Sequence, residues 1–204
     1  MIFVRILAAI AVVSPIAIQP SLATELPNPA AIAPVQALSS ALVESMKSGG
    51  RTNFAERSER LAPVVDHSFD LALTTRLIAG QKWTTMSTSD QAGLQAALRK
   101  MTIAEYAKNF SHWSGEAIIV DPKVEVRGGD ALVKSSLTRP KGDPVILAYR
   151  MRQIGGQWRI IDVLYNGTIS QLATRRADYA HILEANGARA LIEHINELAA
   201  KAAR

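Results

Sequence analysis

The sequence predicts an α+β fold with N-terminal helices, a twisted antiparallel sheet of four or slightly more strands, and two C-terminal helices. Apolar residues recur at helical spacing as far as about residue 110. From about Gly115 to Gly167 the chain instead has Val- and Ile-rich runs joined by short glycine-containing turns. A block of consecutive strands between helical segments is typical of helices packed on one face of an antiparallel sheet.

Residues 1–23 have the features of a secretory signal peptide. Met1–Arg5 carries one positive charge, Ile6–Ile18 is almost wholly apolar, and Ser21 and Ala23 are small residues at the expected cleavage positions. The alternative is an uncleaved membrane anchor, but this apolar stretch is shorter than the roughly 20 residues that a spanning helix needs. We therefore expect export and cleavage after Ala23.

The remaining chain divides into a short leader and one domain. Residues 24–30 are polar and proline-rich, which predicts a disordered leader, and residues 31–204 have the length of a single domain. After loss of the one arginine in residues 1–23, 22 basic residues stand against 18 acidic ones. That mild excess has no basic stripe interleaved with aromatic residues, so nucleic acid is not an expected partner. The absence of cysteine excludes disulfides, thiol chemistry and cysteine-ligated metals.

Helical periodicity and end signals predict six helices. Ser89 or Thr88 is a candidate N-cap for the fourth of them, and either Thr168 with Gln171 or Ser170 alone can begin the fifth. Asn186 and Gly187 end that helix. The predicted helices span residues 31–47, 53–65, 69–78, 88–110, 168–186 and 188–203.

Four strands with antiparallel hairpin connections are predicted between the helical regions. Two of the three links are Gly-Gly pairs, which suit tight hairpin turns, and the third contains Gly142. The strands span about residues 116–126, 130–139, 144–154 and 157–165.

The polar residues offer little chemistry. The four histidines lack metal-binding spacing, and the sequence has no nucleophile elbow, dinucleotide fingerprint or phosphate loop. Asp66, His67 and Asp70 come nearest to a catalytic cluster, although a solvated or capping role is favoured for them. Arg175 and Arg176 either contact a lipid headgroup or form a solvated basic patch, and the second reading is favoured. No metal site is predicted.

An ordered series of residues resembles the MlaC family, the periplasmic phospholipid-binding subunit of the Mla lipid transport system, also called the toluene-tolerance auxiliary component. The series begins with "FDLALTTRLIAGQKW" at residues 69–83 and covers about residues 36–200. The segment "DVLYNGTISQLATRR" is most similar to the hopanoid-associated HpnM branch. The later members of the series are Asp90-Gln91, Tyr106, Tyr149, Trp158, Asp162-Val163, Gly167 and Ser170.

The resemblance implies a soluble periplasmic carrier without enzymatic activity or cofactor. Helices and sheet would enclose an apolar pocket for the acyl chains of a phospholipid or for a hopanoid, with the headgroup near solvent. The partners implied are an inner-membrane transporter complex of ABC or RND type and an outer-membrane lipoprotein complex, and we expect a monomer.

Apolar residues of the predicted strands and helices are the candidates for this pocket, although by composition alone they equally suit an ordinary core. Methionine adapts to irregular ligands, which makes Met86, Met101 and Met151 either pocket or core residues. The candidate pocket residues are Trp83, Met86, Leu98, Tyr106, Phe110, Val133, Leu137, Leu147, Tyr149, Met151, Val163, Tyr165, Leu172, Tyr179 and Leu183.

Asp162 is an acid within an apolar run, and burial of an unpartnered charge is costly. Strand alternation predicts that Trp158, Ile160, Asp162 and Leu164 share one face. We predict a structural role for Asp162, Trp158 and Gly167. The carboxylate would accept hydrogen bonds from a basic side chain or from the amides of Gly167 and Thr168, while Val163 and Tyr165 contact ligand.

Two other functions remain open from the sequence. One is a small α+β enzyme with Asp162 or Asp70 as a general base in an apolar pocket. The other is an interaction subunit with a solid core that docks to a membrane complex. A cavity of lipid size favours the carrier over the docking subunit.

Overall fold

The structure, a computed structural model, describes residues 24–204. The signal peptide predicted for residues 1–23 therefore lies outside the described residues. Within the described part of the chain, every helix is too short or too polar to cross a bilayer.

Over residues 24–204, five helices and one antiparallel sheet form the fold, so the α+β prediction is confirmed. The six strands lie in the sheet in their order along the chain. The helices are α1 (Pro29–Ser48), α2 (Phe54–Ser68), α3 (Leu71–Ala79), α4 (Thr88–Asn109) and α5 (Gln171–Ala202), with 3-10 turns at Gly49–Arg51 and Gly80–Thr85. The strands are β1 (Thr24–Pro27), β2 (Ala117–Arg127), β3 (Asp130–Thr138), β4 (Val145–Ile154), β5 (Gln157–Tyr165) and β6 (Ile169–Ser170).

The stretch predicted to be a disordered leader instead adds a strand to the sheet. Thr24–Pro27 pairs antiparallel with β2, and α1 begins directly afterwards. The Asn28 side chain caps α1 by accepting a hydrogen bond from the Ala31 amide at 3.1 Å. Proline is compatible both with an edge strand and with the first turn of a helix, so the proline-rich composition does not prevent this ordered structure.

The two predicted C-terminal helices are joined as α5, with a break at the predicted position. Gly187 has φ 81° and ψ −177°, which is not helical, inside the continuous assignment of Gln171–Ala202. Glycine adopts this backbone conformation without a side-chain clash. The break allows the last segment to change direction and continue along α4, with which α5 packs.

The starts of three helices depend on polar caps. Asn53 and Glu56 form a reciprocal capping box at α2. Asp70 accepts a hydrogen bond from the Leu73 amide at 2.7 Å, so α3 begins at Leu71 and not at Phe69 as predicted. At α4 the N-cap is Ser87, which precedes the candidates Thr88 and Ser89 by one and two residues.

Buried apolar residues form two clusters. The sheet-side core joins α1, α2 and the inner face of β2–β5, whereas the helix-side core joins α3, the turn after it, α4 and α5. The sheet-side core includes Val35, Leu38, Leu42, Leu61, Val65, Phe69, Val124, Val133, Tyr149, Met151 and Ile160. The helix-side core includes Ile78, Trp83, Leu94, Leu98, Met101, Tyr179, Leu183, Leu191 and Ile195.

The end of α1 packs tightly against the chain that leaves α4. Ser45 donates a hydrogen bond from its hydroxyl to the Phe110 carbonyl at 2.8 Å. A Cβ atom at Gly49 would lie 1.6 Å from the Ser111 carbonyl oxygen, whereas one at Gly50 would have no heavy atom within 4 Å.

Gly49→Ala should therefore lower the free energy of unfolding by about 1–3 kcal/mol, because backbone must move to admit the methyl group. The matched Gly50→Ala variant should change it by less than about 0.5 kcal/mol. Urea unfolding monitored by circular dichroism measures both. Equal stability of the two variants would contradict the close approach.

Candidate functional site

Strand β5 contains a β-bulge, in which one extra residue interrupts its regular pairing with β4. Ile160 lies opposite Met151 and Asp162 lies opposite Arg150, which leaves Ile161 as the additional residue of a β-bulge. The prediction of regular alternation along β5 is therefore wrong. Ile160 lies opposite Met151 and Val163 lies opposite Tyr149, and both partners belong to the sheet-side core. Ile160 and Val163 are three positions apart, so a regular strand would place them on opposite faces.

The bulge attaches α3 to the sheet through backbone carbonyls. The amide of Asp70 donates to the Ile160 carbonyl at 3.0 Å, and the Thr74 hydroxyl donates to the Ile161 carbonyl at 3.2 Å. Phe69 forms an isolated parallel bridge with Ile160. The carbonyls of Ile160 and Ile161 thereby bind the first turn of a helix.

The next residue, Asp162, attaches the start of α5 to the sheet. Its carboxylate is buried and accepts a hydrogen bond from the Leu172 amide at 3.0 Å and from the Ser170 hydroxyl at 2.5 Å. Ser170 is the N-cap of α5 and accepts from the Ala173 amide at 2.9 Å. A carboxylate next to a helix N-terminus is also favoured by the helix dipole.

The partners of Asp162 differ from those the sequence predicts. Gly167 and Thr168 were the candidate amides, but the Thr168 amide donates to the Tyr165 carbonyl at 3.2 Å. Asn166 and Gly167 both have positive φ angles, of 51° and 72°. This turn reverses the chain so that β6 pairs with the end of β5, and the start of α5 then meets the carboxylate.

A cavity of about 170 Å³ lies where the two cores meet, between β5, α3, α4 and the first turns of α5. The rings of Phe69, Tyr106 and Phe110 form a series along it, with centroid separations of 6.1 Å and 5.9 Å. The lining is mixed, with apolar and polar side chains from β5, α3, α4 and α5. Its residues are Phe69, Leu71, Thr74, Ile78, Thr102, Glu105, Tyr106, Asn109, Phe110, Ile161, Asp162, Val163, Gln171, Leu172 and Arg175.

Two phenols lie at this junction, of which Tyr149 is buried and Tyr106 is half-buried. Burial raises the pKa of Tyr106 well above its usual range, and the nearby Tyr149 adds to the shift. Burial also raises the pKa of Tyr149, an effect that the Ser135 hydroxyl opposes. Both phenols therefore remain neutral at physiological pH and contribute ring surface together with a single polar atom each.

Four of the predicted pocket residues line the cavity, namely Tyr106, Phe110, Val163 and Leu172. Tyr165 is 44% exposed at the end of β5, and Leu137 is half-buried. The sheet-side core contains Val133, Tyr149 and Met151, with Leu147 and the structural candidate Trp158 packed against it. The helix-side core contains Trp83, Leu98, Tyr179, Leu183 and the additional candidate Met101, with Met86 packed against it.

The sequence reasoning missed several lining residues. Phe69 and Ile78 lie within the quoted "FDLALTTRLIAGQKW" segment, so that motif could have indicated them. Ile161 was placed on one face of a regular strand, and an unrecognised bulge changes that placement. Glu105 could not be found by a search for apolar residues.

The polar cluster suggested by Asp66, His67 and Asp70 is not assembled as a catalytic group. Asp66 forms a two-pronged ion pair with Arg99, with distances of 2.7 Å and 2.6 Å, while Asp70 caps α3. Over residues 24–204, the structure has no group of three or more His, Asp or Glu side chains arranged to hold a metal ion.

Comparison with known proteins gives one family and one fold. A family model described as MlaC protein matches residues 36–197. A solved phospholipid-binding protein from Ralstonia solanacearum, determined in complex with a phospholipid, is 19% identical with a TM-score of 0.73. The match covers 85% of this chain and 99% of that one, and it shows a shared fold. None of the curated proteins matches this chain.

Asp162→Asn should lower the free energy of unfolding by about 1.5–3 kcal/mol, because both hydrogen bonds lose their charged acceptor. Asp143→Asn, in the exposed turn before β4, is the matched control and should change it by less than about 0.5 kcal/mol. Chemical unfolding at neutral pH measures both. An Asp162→Asn protein as stable as the parent would contradict the structural role of this carboxylate.

Proposed function

The chain belongs to the MlaC family, and we propose that it is a periplasmic carrier that binds a lipid between its two cores and transfers it between membranes. The observation that carries this proposal is the cavity at the junction of the cores. Its lining combines aromatic and aliphatic side chains with the partly exposed charged side chains of Glu105 and Arg175. This arrangement suits a molecule with apolar tails and a polar head.

The bound phospholipid of the Ralstonia protein supports the same role. The shared fold extends over 99% of the Ralstonia chain and 85% of this one. Removal of an acyl chain from water is worth about 0.8 kcal/mol per CH₂ group. Apolar walls therefore supply the binding free energy, and a carrier needs no catalytic group.

Lipid binding requires the cavity to enlarge. Its volume of about 170 Å³ is below the roughly 300–1,000 Å³ of typical ligand pockets. The helix-side core meets the sheet-side core along this cavity, so separation of the two widens it. The buried residues Tyr149 and Met151, with Leu147 beside them, would then join Tyr106, Phe110, Val163 and Leu172 as lipid contacts.

The remaining elements of the proposal concern location and partners. Export would follow from cleavage of the signal peptide after about Ala23. The lipid would come from an inner-membrane transporter complex and pass to or from an outer-membrane lipoprotein complex. The ligand would be a phospholipid, as in the Ralstonia protein, with a hopanoid as the alternative that the resemblance of the segment around the start of α5 implies.

Catalysis by an Asp general base has less support from the geometry. Both carboxylate oxygens of Asp162 accept hydrogen bonds that begin α5, and the Asp70 side chain accepts one that begins α3. To accept a proton from a substrate, either carboxylate would have to break a hydrogen bond that caps the N-terminus of a helix. The same hydrogen bonds support a structural role for both acids.

Native mass spectrometry of the protein purified without detergent, followed by lipid extraction, tests this function. We expect copurified lipid at a stoichiometry near one and transfer of that lipid between vesicles. Val163→Trp should fill the cavity and reduce transfer by at least about tenfold, equivalent to 1.4 kcal/mol.

Ile119→Trp is the matched control, because Ile119 is 60% exposed and lies outside the cavity lining. Thermal unfolding of both variants confirms that each is folded. Parent protein that neither carries nor transfers lipid would overturn the proposed function.

A further inference from the structure

An ion pair between α4 and α5 lies in the lining of the cavity. Arg175 of α5 donates from Nη2 to Glu105 Oε2 of α4, and both residues line the cavity together with apolar side chains. The side chains are 22% and 42% exposed, respectively. The pair is therefore reachable from solvent and from the inside of the cavity.

Both charges act on the interior of the site. Arg175 lowers and Glu105 raises the pKa of Tyr106 and of Tyr179, although burial has the larger effect on each phenol. Asn109 and Gln171 are the neutral polar residues beside the pair in the lining. Arg176, the next residue of α5, is exposed, and its guanidinium lies against Gly80 outside the cavity.

We propose that Glu105 and Arg175 select a lipid with a zwitterionic phosphate–ammonium headgroup, which exchanges with their mutual ion pair. The proposal rests on the lipid-carrier function proposed above. The phosphate would accept hydrogen bonds from the Arg175 guanidinium, and the ammonium would donate to the Glu105 carboxylate. The acyl chains would extend from there past Phe110 and Tyr106 towards Val163.

Charge balance is the reason for this selectivity. Arginine presents a planar fork of donors that matches phosphate oxygens. A zwitterionic headgroup replaces one ion pair by two, so neither Glu105 nor Arg175 is left without an opposite charge. A purely anionic headgroup would take Arg175 and leave Glu105 unpaired beside a phosphate, which is costly in a partly buried site. A neutral diacylglycerol would gain from neither residue.

Transfer of three lipids with identical acyl chains between vesicles tests the proposal. The donor vesicles carry labelled phosphatidylethanolamine, phosphatidylglycerol or diacylglycerol. The parent should transfer phosphatidylethanolamine fastest. In Glu105→Gln, the ratio of the phosphatidylethanolamine transfer rate to the phosphatidylglycerol transfer rate should be about tenfold lower than in the parent. In Arg175→Gln, both phospholipids should be transferred at the rate of diacylglycerol.

Two further variants separate charge from folding. Arg175→Lys keeps a cation but loses the fork, so its phosphatidylethanolamine transfer should lie between those of the parent and Arg175→Gln. Arg176→Gln removes the adjacent charge outside the cavity and should transfer all three lipids as the parent does. Thermal unfolding confirms that the compared variants are folded.

The outcomes distinguish this inference from the carrier function. Parent-like ratios among the three lipids in folded Glu105→Gln and Arg175→Gln would overturn the headgroup site while leaving the carrier function intact. Absence of transfer by the parent would overturn both. Free phosphoethanolamine should not compete at concentrations that match the lipid, and competition by it would overturn assignment of the pair to a membrane lipid.

Discussion

The β-bulge at Ile161 is the constraint on which the rest of the site depends. Because of one extra residue in β5, three consecutive residues form hydrogen bonds with two different helices. The carbonyls of Ile160 and Ile161 bind the start of α3, and the Asp162 carboxylate binds the start of α5. In a regular strand consecutive carbonyls point to opposite sides, so only one of these two could face α3 and the other would point towards β4. The bulge lets both carbonyls accept hydrogen bonds from the start of α3.

This attachment is compatible with the proposed binding of a lipid at the junction of the two cores. The polar bonds between the helices and β5 are directional and concentrated in a short stretch, whereas the packing around the cavity is apolar and non-directional. Apolar contacts between the two cores can be replaced by contacts with acyl chains at little net cost in free energy, because both kinds of contact bury apolar surface. The hydrogen bonds of the bulge can stay in place meanwhile and preserve the register between helices and sheet.

Periodicity and turn chemistry predict most of the architecture from the sequence. β2–β5 follow from alternating apolar runs and glycine pairs, and the break at Gly187 follows from the Asn-Gly signal. The pairing of Thr24–Pro27 could not be predicted, because an edge strand depends on a free neighbour in the sheet and not on its own composition. The bulge at Ile161 could not be predicted either, because a strand with one inserted apolar residue has the same apolar composition as a regular strand.

The candidate site was predictable only in part for the same reason. Apolar side chains of the same types line a cavity and fill a core, so sequence alone does not separate Tyr106 and Val163 at the cavity from Trp83 and Leu183 in the helix-side core. A structural role was predicted for Asp162 because a buried acid needs partners. The identity of those partners depends on the reversal at Asn166 and Gly167, a three-dimensional feature that strand spacing does not report.

The most direct test of lipid binding between the two cores is photocrosslinking with a phospholipid that carries a photoactivatable group near the end of one acyl chain. The protein is loaded from vesicles, irradiated and digested, and the modified residues are located by mass spectrometry. Adducts should concentrate on the cavity-facing residues of α4 and β5, above all on Tyr106, Phe110 and Val163. Adducts confined to the exposed residues Ile119 and Ile146, or no adducts at all, would contradict a lipid site at the junction of the cores.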